Sequence, residues 1–279
     1  MASRTLLAGG YRNEVWKVRT ANGFVIEKRY AEDPGSPNPM YPNLPDHEAA
    51  ALAHLAGTGC APELVSYRAA HAHEGALVVY RFVAGAQWRR GTADVARLLS
   101  NVHRAPPPKG MRRLHRSATE ALAHADAVVA DTPSAAARAR MELARPTGMV
   151  HRPVRRASLV HTDCGPGNLV RGTHCLVLID WQCPGLGDPV EDVACFLSPA
   201  MMILYRMPPH GPAARAAFLD TYGGDTVERY TRDGPAWHYR IASYCVWRAH
   251  RLARSQPVVA ARYRAALDAE LRLLAEWPS

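Results

Sequence analysis

His161-Thr162-Asp163-Cys164-Gly165-Pro166-Gly167-Asn168 runs into Leu169-Val170, the short turn Arg171-Gly172-Thr173-His174, and the stretch Cys175-Leu176-Val177-Leu178-Ile179 that ends in Asp180. Three groups able to handle a metal or a proton, Asp163, Asn168 and Asp180, lie between and beside short apolar segments. The run from Leu176 to Ile179 reads as a buried strand that aims the carboxylate at its end into a cleft. Each residue taken singly has a plainer reading: Asp163 as a turn aspartate before the glycines, Asp180 as a strand-end helix cap. Together they suit phosphoryl transfer. One carboxylate orients an acceptor hydroxyl, while an amide and a second carboxylate hold magnesium on a nucleotide's phosphates.

The chain around this segment is long enough, at 279 residues, for one large domain or two lobes. A hydrophobic content of 48% and a charged content of 21% are those of a globular protein. No stretch approaches the roughly 18 apolar residues that cross a bilayer. The N-terminal residues break at Gly9 before an apolar leader region forms, so a cytoplasmic protein with no membrane partner is expected. The six cysteines form no CxxC pair, and reduced thiols in ordinary packing are expected. The net charge of +9 comes from scattered arginines in short clusters, which predicts a basic solvated surface and no nucleic-acid partner. Lysine occurs only at 17, 28 and 109, so a lysine inside a predicted strand draws notice.

The first 85 residues read as strands with one helix. Val15 to Val18 forms a strand, Asn22-Gly23 signals a two-residue hairpin, and Phe24 to Tyr30 forms the next strand. On it Phe24, Ile26 and Lys28 share a face, with Arg29 opposite. A proline-rich loop (Pro34, Pro37, Pro39, Pro42, Pro45) precedes a helix from His47 to about Ala56, with Asp46 as its expected cap and Gly57 as its stop. Strands follow at Leu64–Tyr67 and Ala76–Phe82. Beyond Gly85 the chain turns helical: Thr92, as a cap, to His103; an alanine-rich stretch over 115–145; and helices at about Trp237–Leu252 and Val258–Trp277. The expected class is α+β, with an N-terminal lobe over 1–84, built on a small antiparallel sheet and one helix, and a larger, mainly helical lobe over 85–279.

The ordered motifs resemble those of the aminoglycoside phosphotransferase and choline kinase superfamily, small-molecule relatives of the protein kinases. The similarity runs along nearly the whole chain. It includes Gly9-Gly10-Tyr11-Arg12-Asn13, Lys28, His47-Glu48-Ala49-Ala50, the hinge-like Val79 to Gly85, the His-x-Asp-x-x-x-x-Asn loop at 161–168, Ile179-Asp180-Trp181, and Gly187-Asp188-Pro189 with Asp192. The resemblance implies a bilobal protein-kinase-like fold using ATP and Mg2+. It implies Asp163 as the catalytic residue and Asn168 and Asp180 as metal ligands. Gly9, Gly10, Asn13, Lys28, Glu48, Tyr80 and Phe82 would contact or support the nucleotide. His161, Asp188 and Asp192 would brace the site. Asp163 is expected to keep an ordinary pKa near 3.9 and to work by positioning. Thr162 departs from the family's frequent glycine, and Gln182 stands where an acid is common.

The acceptor is less legible. Residues 200–279 hold eleven arginines against seven acids, a sign unfavourable to a polycationic aminoglycoside. Eight of the ten aromatics there (Tyr205, Phe218, Tyr222, Tyr230, Trp237, Tyr239, Tyr244, Trp247) either pack the core or hold one cation by cation–π attraction. A choline- or thiamine-type amino alcohol is therefore the expected small-molecule acceptor. An aminoglycoside kinase and a nucleotide-binding regulatory pseudokinase are the alternatives.

Overall fold

A computed structural model describes residues 3–7, 13–31, 38–71, 74–173 and 175–277. The expected glycine loop at Gly9 and Gly10, with Tyr11 and Arg12, lies outside them, as do Pro34, Pro37 and His174.

The N-terminal part is a five-stranded antiparallel sheet of β1 (Arg4–Leu6), β2 (Asn13–Thr20), β3 (Gly23–Tyr30), β4 (Leu64–Arg68) and β5 (Leu77–Arg81), ordered β1-β2-β3-β5-β4. Helix α1 (Pro45–His54) packs on it. The β2–β3 hairpin turns at Ala21-Asn22, one residue earlier than the sequence signal suggests: Thr20 pairs with Gly23, which adopts φ +103°. Residues paired across a ladder share a face. Lys28 faces Val15 on one side and Val78 on the other, and Ile26 faces Tyr80. This alternation sinks Lys28 to 2% exposure while its neighbour Arg29 stays exposed.

Two expected caps are corrected. Helix α1 starts at Pro45, whose fixed φ suits the first turn, with Leu44 before it; Asp46 lies inside the helix and caps nothing. The next helix, α2 (Thr92–Arg104), follows β6 (Ala86–Gln87) and starts from Gly91 at φ +89°. The hydroxyl of Thr92 donates instead to the carbonyl of Ala214 at 2.7 Å.

The rest is mainly helical: α3 (Ala118–Ala130), α4 (Ala135–Leu143), then after the site segment α5 (Val190–Leu197), α6 (Pro199–Leu204), α7 (Pro212–Tyr222), α8 (Gly224–Leu252) and α9 (Pro257–Ala275). Four short strands frame the site: β7 (Ser158–Val160), β8 (Leu169–Arg171), β9 (Leu176–Leu178) and β10 (Gly185–Gly187). β7 pairs with β10, and β8 lies between β6 and β9. One apolar core runs from the sheet (Ile26, Val78) through α1 and α2 to α5, and a second joins α3, α8 and α9. The mixed α+β class is the one expected. Among the described residues no helix is long and apolar enough to cross a membrane.

Helix α8 begins thirteen residues before the expected Trp237, and Pro235 sits inside it. A proline there frees the carbonyl four residues back. That carbonyl belongs to Thr231, and the indole of Trp277 donates to it at 3.1 Å. The same ring covers Gly234, where an added Cβ would meet it at 2.6 Å. Trp277→Phe removes this donor, so a loss of about 1 kcal/mol is expected in chemical denaturation. An unchanged midpoint would show that the freed carbonyl needs no protein partner.

Candidate active site

The loop between β7 and β8 folds around a buried carboxylate. Asp192, on α5, accepts from the backbone N–H groups of His161 and Thr162, both at 2.8 Å, and contacts Nε2 of His103 at 3.0 Å. Nδ1 of His103 in turn meets the Tyr222 hydroxyl at 2.6 Å. Burial alone would raise the Asp192 carboxyl, but the His103 hydrogen bond, the nearby imidazoles and the His161 N–H hold it below the usual range.

Two side chains of the site leave the normal backbone regions. Thr162 has φ +71° and Asp180 has φ +62°. Such a conformation costs a β-branched residue roughly 1–2 kcal/mol. This is why a glycine is the easier residue at 162. Here the strain is offset by the Asp192 contact and by the threonine hydroxyl donating to the Cys183 carbonyl at 3.0 Å.

His161 is fully buried and uses both ring nitrogens: Nε2 meets the Ile179 carbonyl at 3.0 Å, and Nδ1 accepts from the Asp163 N–H at 3.2 Å. Both ring nitrogens are thus engaged within the loop and with the Ile179 carbonyl. The amide nitrogen of Asn168 donates to the Asp163 carbonyl at 2.7 Å and to its carboxylate at 3.3 Å. The main chain of Asn168 accepts from Ile179 N–H at 2.8 Å, which brings Asp180 alongside. Asp163 differs from expectation in its titration. Burial, then the Asp180 carboxylate, push its carboxyl up to about 8, with the Asn168 hydrogen bond pulling the other way.

Lys28 ion-pairs with Glu48 of α1 at 3.0 Å and with Asp180. Glu48 also takes the hydroxyl of Tyr30. Burial alone would lower the ammonium's pKa, but Asp180 and Glu48 outweigh it and hold Lys28 as a cation. Glu48, at 1% exposure, is thus no surface carboxylate.

Lys28, Asn13, Tyr80, Asp163, Asn168 and Asp180 open onto one cavity of about 650 Å³. Asn13 exchanges amide hydrogen bonds with Asn43 at 2.8 and 2.7 Å and reaches Gln182 at 3.4 Å. Phe82 does not join the cavity lining. Its ring stands edge-on to Phe24 beneath the ammonium of Lys17, and its N–H is spent on the Phe24 carbonyl. Asp188 accepts from Val190 N–H at the start of α5 and ion-pairs with Arg229 at 3.0 Å, so it joins α5 to α8 and leaves the loop to Asp192.

Sequence reading missed the described end of the proline-rich segment. Asn38, Tyr41 and Asn43 line the cavity, and Asn38 donates to the Tyr244 hydroxyl at 2.9 Å. The signal available was polar amides punctuating a run of prolines. Arg248 and Arg262 were also missed. Among the described residues no three His, Cys, Asp or Glu side chains converge as a metal cluster. Asn168 and Asp180 nevertheless fit a magnesium ion that takes its other ligands from a nucleotide. Their free donors are hard oxygens, because the amide nitrogen of Asn168 is committed to Asp163.

A model of the phosphotransferase enzyme family matches residues 3–238, and the chain belongs to that family. Solved structures with similar folds include a candidate aminoglycoside phosphotransferase from Ralstonia eutropha (TM-score 0.72, 14% identity, 100% of this chain and 94% of that one). A choline/ethanolamine kinase family protein from Mesorhizobium loti superposes with TM-score 0.66 and 17% identity over 99% and 89% of the two chains. A spectinomycin phosphotransferase solved with ADP and spectinomycin gives 0.61 and 12% over 98% and 92%. Curated protein sequences give no match. The protein is a small-molecule kinase of the protein-kinase-like fold.

The folded-state pKa of Asp192 lies below the unfolded value of about 3.9. Its stabilisation is therefore complete above that value and fades as pH falls through the depressed one. Asp192→Asn should cost about 2 kcal/mol at neutral pH. In denaturant titrations the gap from wild type should stay constant from about pH 5 to 8 and narrow below about pH 4. A gap that widens on acidification would contradict this assignment.

Proposed function

We propose that the protein transfers the γ-phosphate of Mg-ATP to the hydroxyl of a small molecule, acting in the cytoplasm, in a cleft between lobes 1–84 and 85–279. The observation that carries this reading is the opening of Asp163, Asn168, Asp180 and Lys28 onto one cavity. Lys28, steadied by Glu48, neutralises the phosphates. Magnesium held by Asn168 and Asp180 would offset charge on the phosphate oxygens and remove the like-charge push of Asp180 on Asp163. Asp163 orients the alcohol and takes its proton as the oxygen bonds to the γ-phosphorus. The bond to the β-phosphate oxygen breaks, and ADP leaves.

A nucleotide in this cleft is supported by the spectinomycin kinase relative, which was solved with ADP. For the acceptor, only Tyr205 and Tyr244 of the eight aromatics line the cavity, joined by Tyr41 and Tyr263. Their faces support an amino alcohol of the choline or thiamine type. Among the described residues the lining carboxylates are Asp163 and Asp180 alone, which gives a polycationic aminoglycoside little to bind.

ADP release with Mg-ATP across choline, ethanolamine, thiamine, homoserine, methylthioribose and kanamycin tests this. Asp163→Asn should lower the stimulated rate by about 10³-fold, with nucleotide affinity within about threefold of wild type. Turnover that survives the substitution would remove Asp163 from the mechanism. Failure of the wild type to bind ATP would remove the assignment of Lys28, Asn168 and Asp180.

A further inference from the structure

Part of the cavity wall is built from one stripe of each C-terminal helix. Tyr244 and Arg248 are four apart on α8; Val259, Arg262 and Tyr263 occupy neighbouring turns on α9. Helical spacing of three and four residues puts each set on one face. The two faces meet at this cavity, and all five residues line it. The Tyr244 ring lies edge-on to Tyr41 at 4.9 Å and to Tyr263 at 6.1 Å between centroids. Tyrosines, the Asp163 carboxylate and guanidinium groups from α8 and α9 thus line one cavity.

Among the described residues the lining carboxylates are Asp163 and Asp180, and Lys28 pairs with Asp180. The lining arginines, Arg248 and Arg262, come from α8 and α9. Arg262 is half-buried, with no ion pair or hydrogen bond to the described residues. Burial raises the Tyr244 phenol, the Asn38 hydrogen bond and the Arg248 cation lower it, and the Asp163 carboxylate raises it.

We infer that the acceptor alcohol carries an anionic group, a carboxylate or a phosphate ester, which Arg262 binds while its hydroxyl lies at Asp163. This rests on the phosphotransfer reading above and replaces its choline- or thiamine-type acceptor with an anionic or zwitterionic one. A bare quaternary ammonium satisfies the tyrosines but meets the like charge of Arg262. A zwitterionic or anionic alcohol satisfies both. Guanidinium groups suit this task because their planar fork matches carboxylate and phosphate oxygens.

The test uses the full chain in two assays. ADP release with Mg-ATP is followed with glycerate and hydroxybutyrate, with glycerol phosphate, with neutral glycerol, and with choline, thiamine and kanamycin. Calorimetry measures binding of the same probes with magnesium and a non-hydrolysable ATP analogue. An anionic alcohol should bind and react, and preference between glycerate and glycerol phosphate tells carboxylate from phosphate ester. Arg262→Gln should raise its KM at least about tenfold with kcat within about twofold, and Arg262→Lys should recover part of the loss. A merely structural role for Arg262 would instead lower kcat and nucleotide affinity together. Turnover confined to cationic alcohols, absence of binding by every anionic probe, or an unchanged KM in Arg262→Gln would each overturn the subsite. The first of these leaves the kinase reading standing. Loss of ATP binding in the wild type is a different failure and removes the kinase reading itself.

Discussion

The carboxylate of Asp192 is the constraint on which the site depends. It is fully buried, and it holds the backbone of His161 and Thr162 with its two oxygens while His103 supports it from behind. A buried charge is tolerated only when hydrogen bonds replace its water. The donors come from two distant pieces of the structure: α2 supplies His103, and the loop after β7 supplies two N–H groups. Satisfying one carboxylate therefore fixes where the loop leaves β7. That in turn fixes Asp163, one residue further on, and Asn168, which closes the loop onto Asp163.

The left-handed residues follow from the same constraint. Thr162 turns the chain sharply so that its N–H reaches Asp192 and the next side chain points into the cleft. Asp180 does the equivalent at the end of β9, where Ile179 has just bonded to Asn168. Strain of this kind persists only when the surroundings over-determine it. Here they do, since His161 ties the Ile179 carbonyl to the loop while Lys28 and Glu48 fix Asp180 from the sheet side. Two loops close in sequence and one distant strand of the sheet thus converge on a single cavity.

Much of this was legible because the motifs are local. Asp163, Asn168 and Asp180 lie within eighteen residues, and the period-two pattern of β3 puts Lys28 inside and Arg29 outside. What escaped depends on contacts between distant segments. Nothing near Asp163 in the sequence reports that the Asp180 carboxylate and the surrounding protein raise its pKa. Phe82 follows a correctly placed strand, yet the hairpin neighbour Phe24 claims its N–H and its ring. Gly91 and Pro45, rather than Thr92 and Asp46, open their helices, because Thr92 is drawn away by α7 and Pro45 already has the right φ. The early start of α8 was hidden by Pro235, whose cost is met by Trp277 from the far end of α9.

Charge shows the same lesson most sharply. The surplus of arginine over residues 200–279 points away from a polycationic acceptor, but most of those arginines have no bearing on it. Arg229 is paired with Asp188, Arg232 with Asp233, Arg240 with the buried Glu191, and Arg215 is spent on Leu197 and Tyr230. Likewise Phe218, Tyr230 and Trp237 are core. A net charge sums such neutralised groups with the few that face a ligand, and only the latter act at short range. The discriminating feature is therefore position within two helices. Arg248 falls one turn after Tyr244, and Arg262 falls one turn after Val259, so the same periodicity that builds the aromatic wall delivers guanidinium groups to the same cavity. A single-residue shift in either helix would carry them around to another face and leave the composition unchanged.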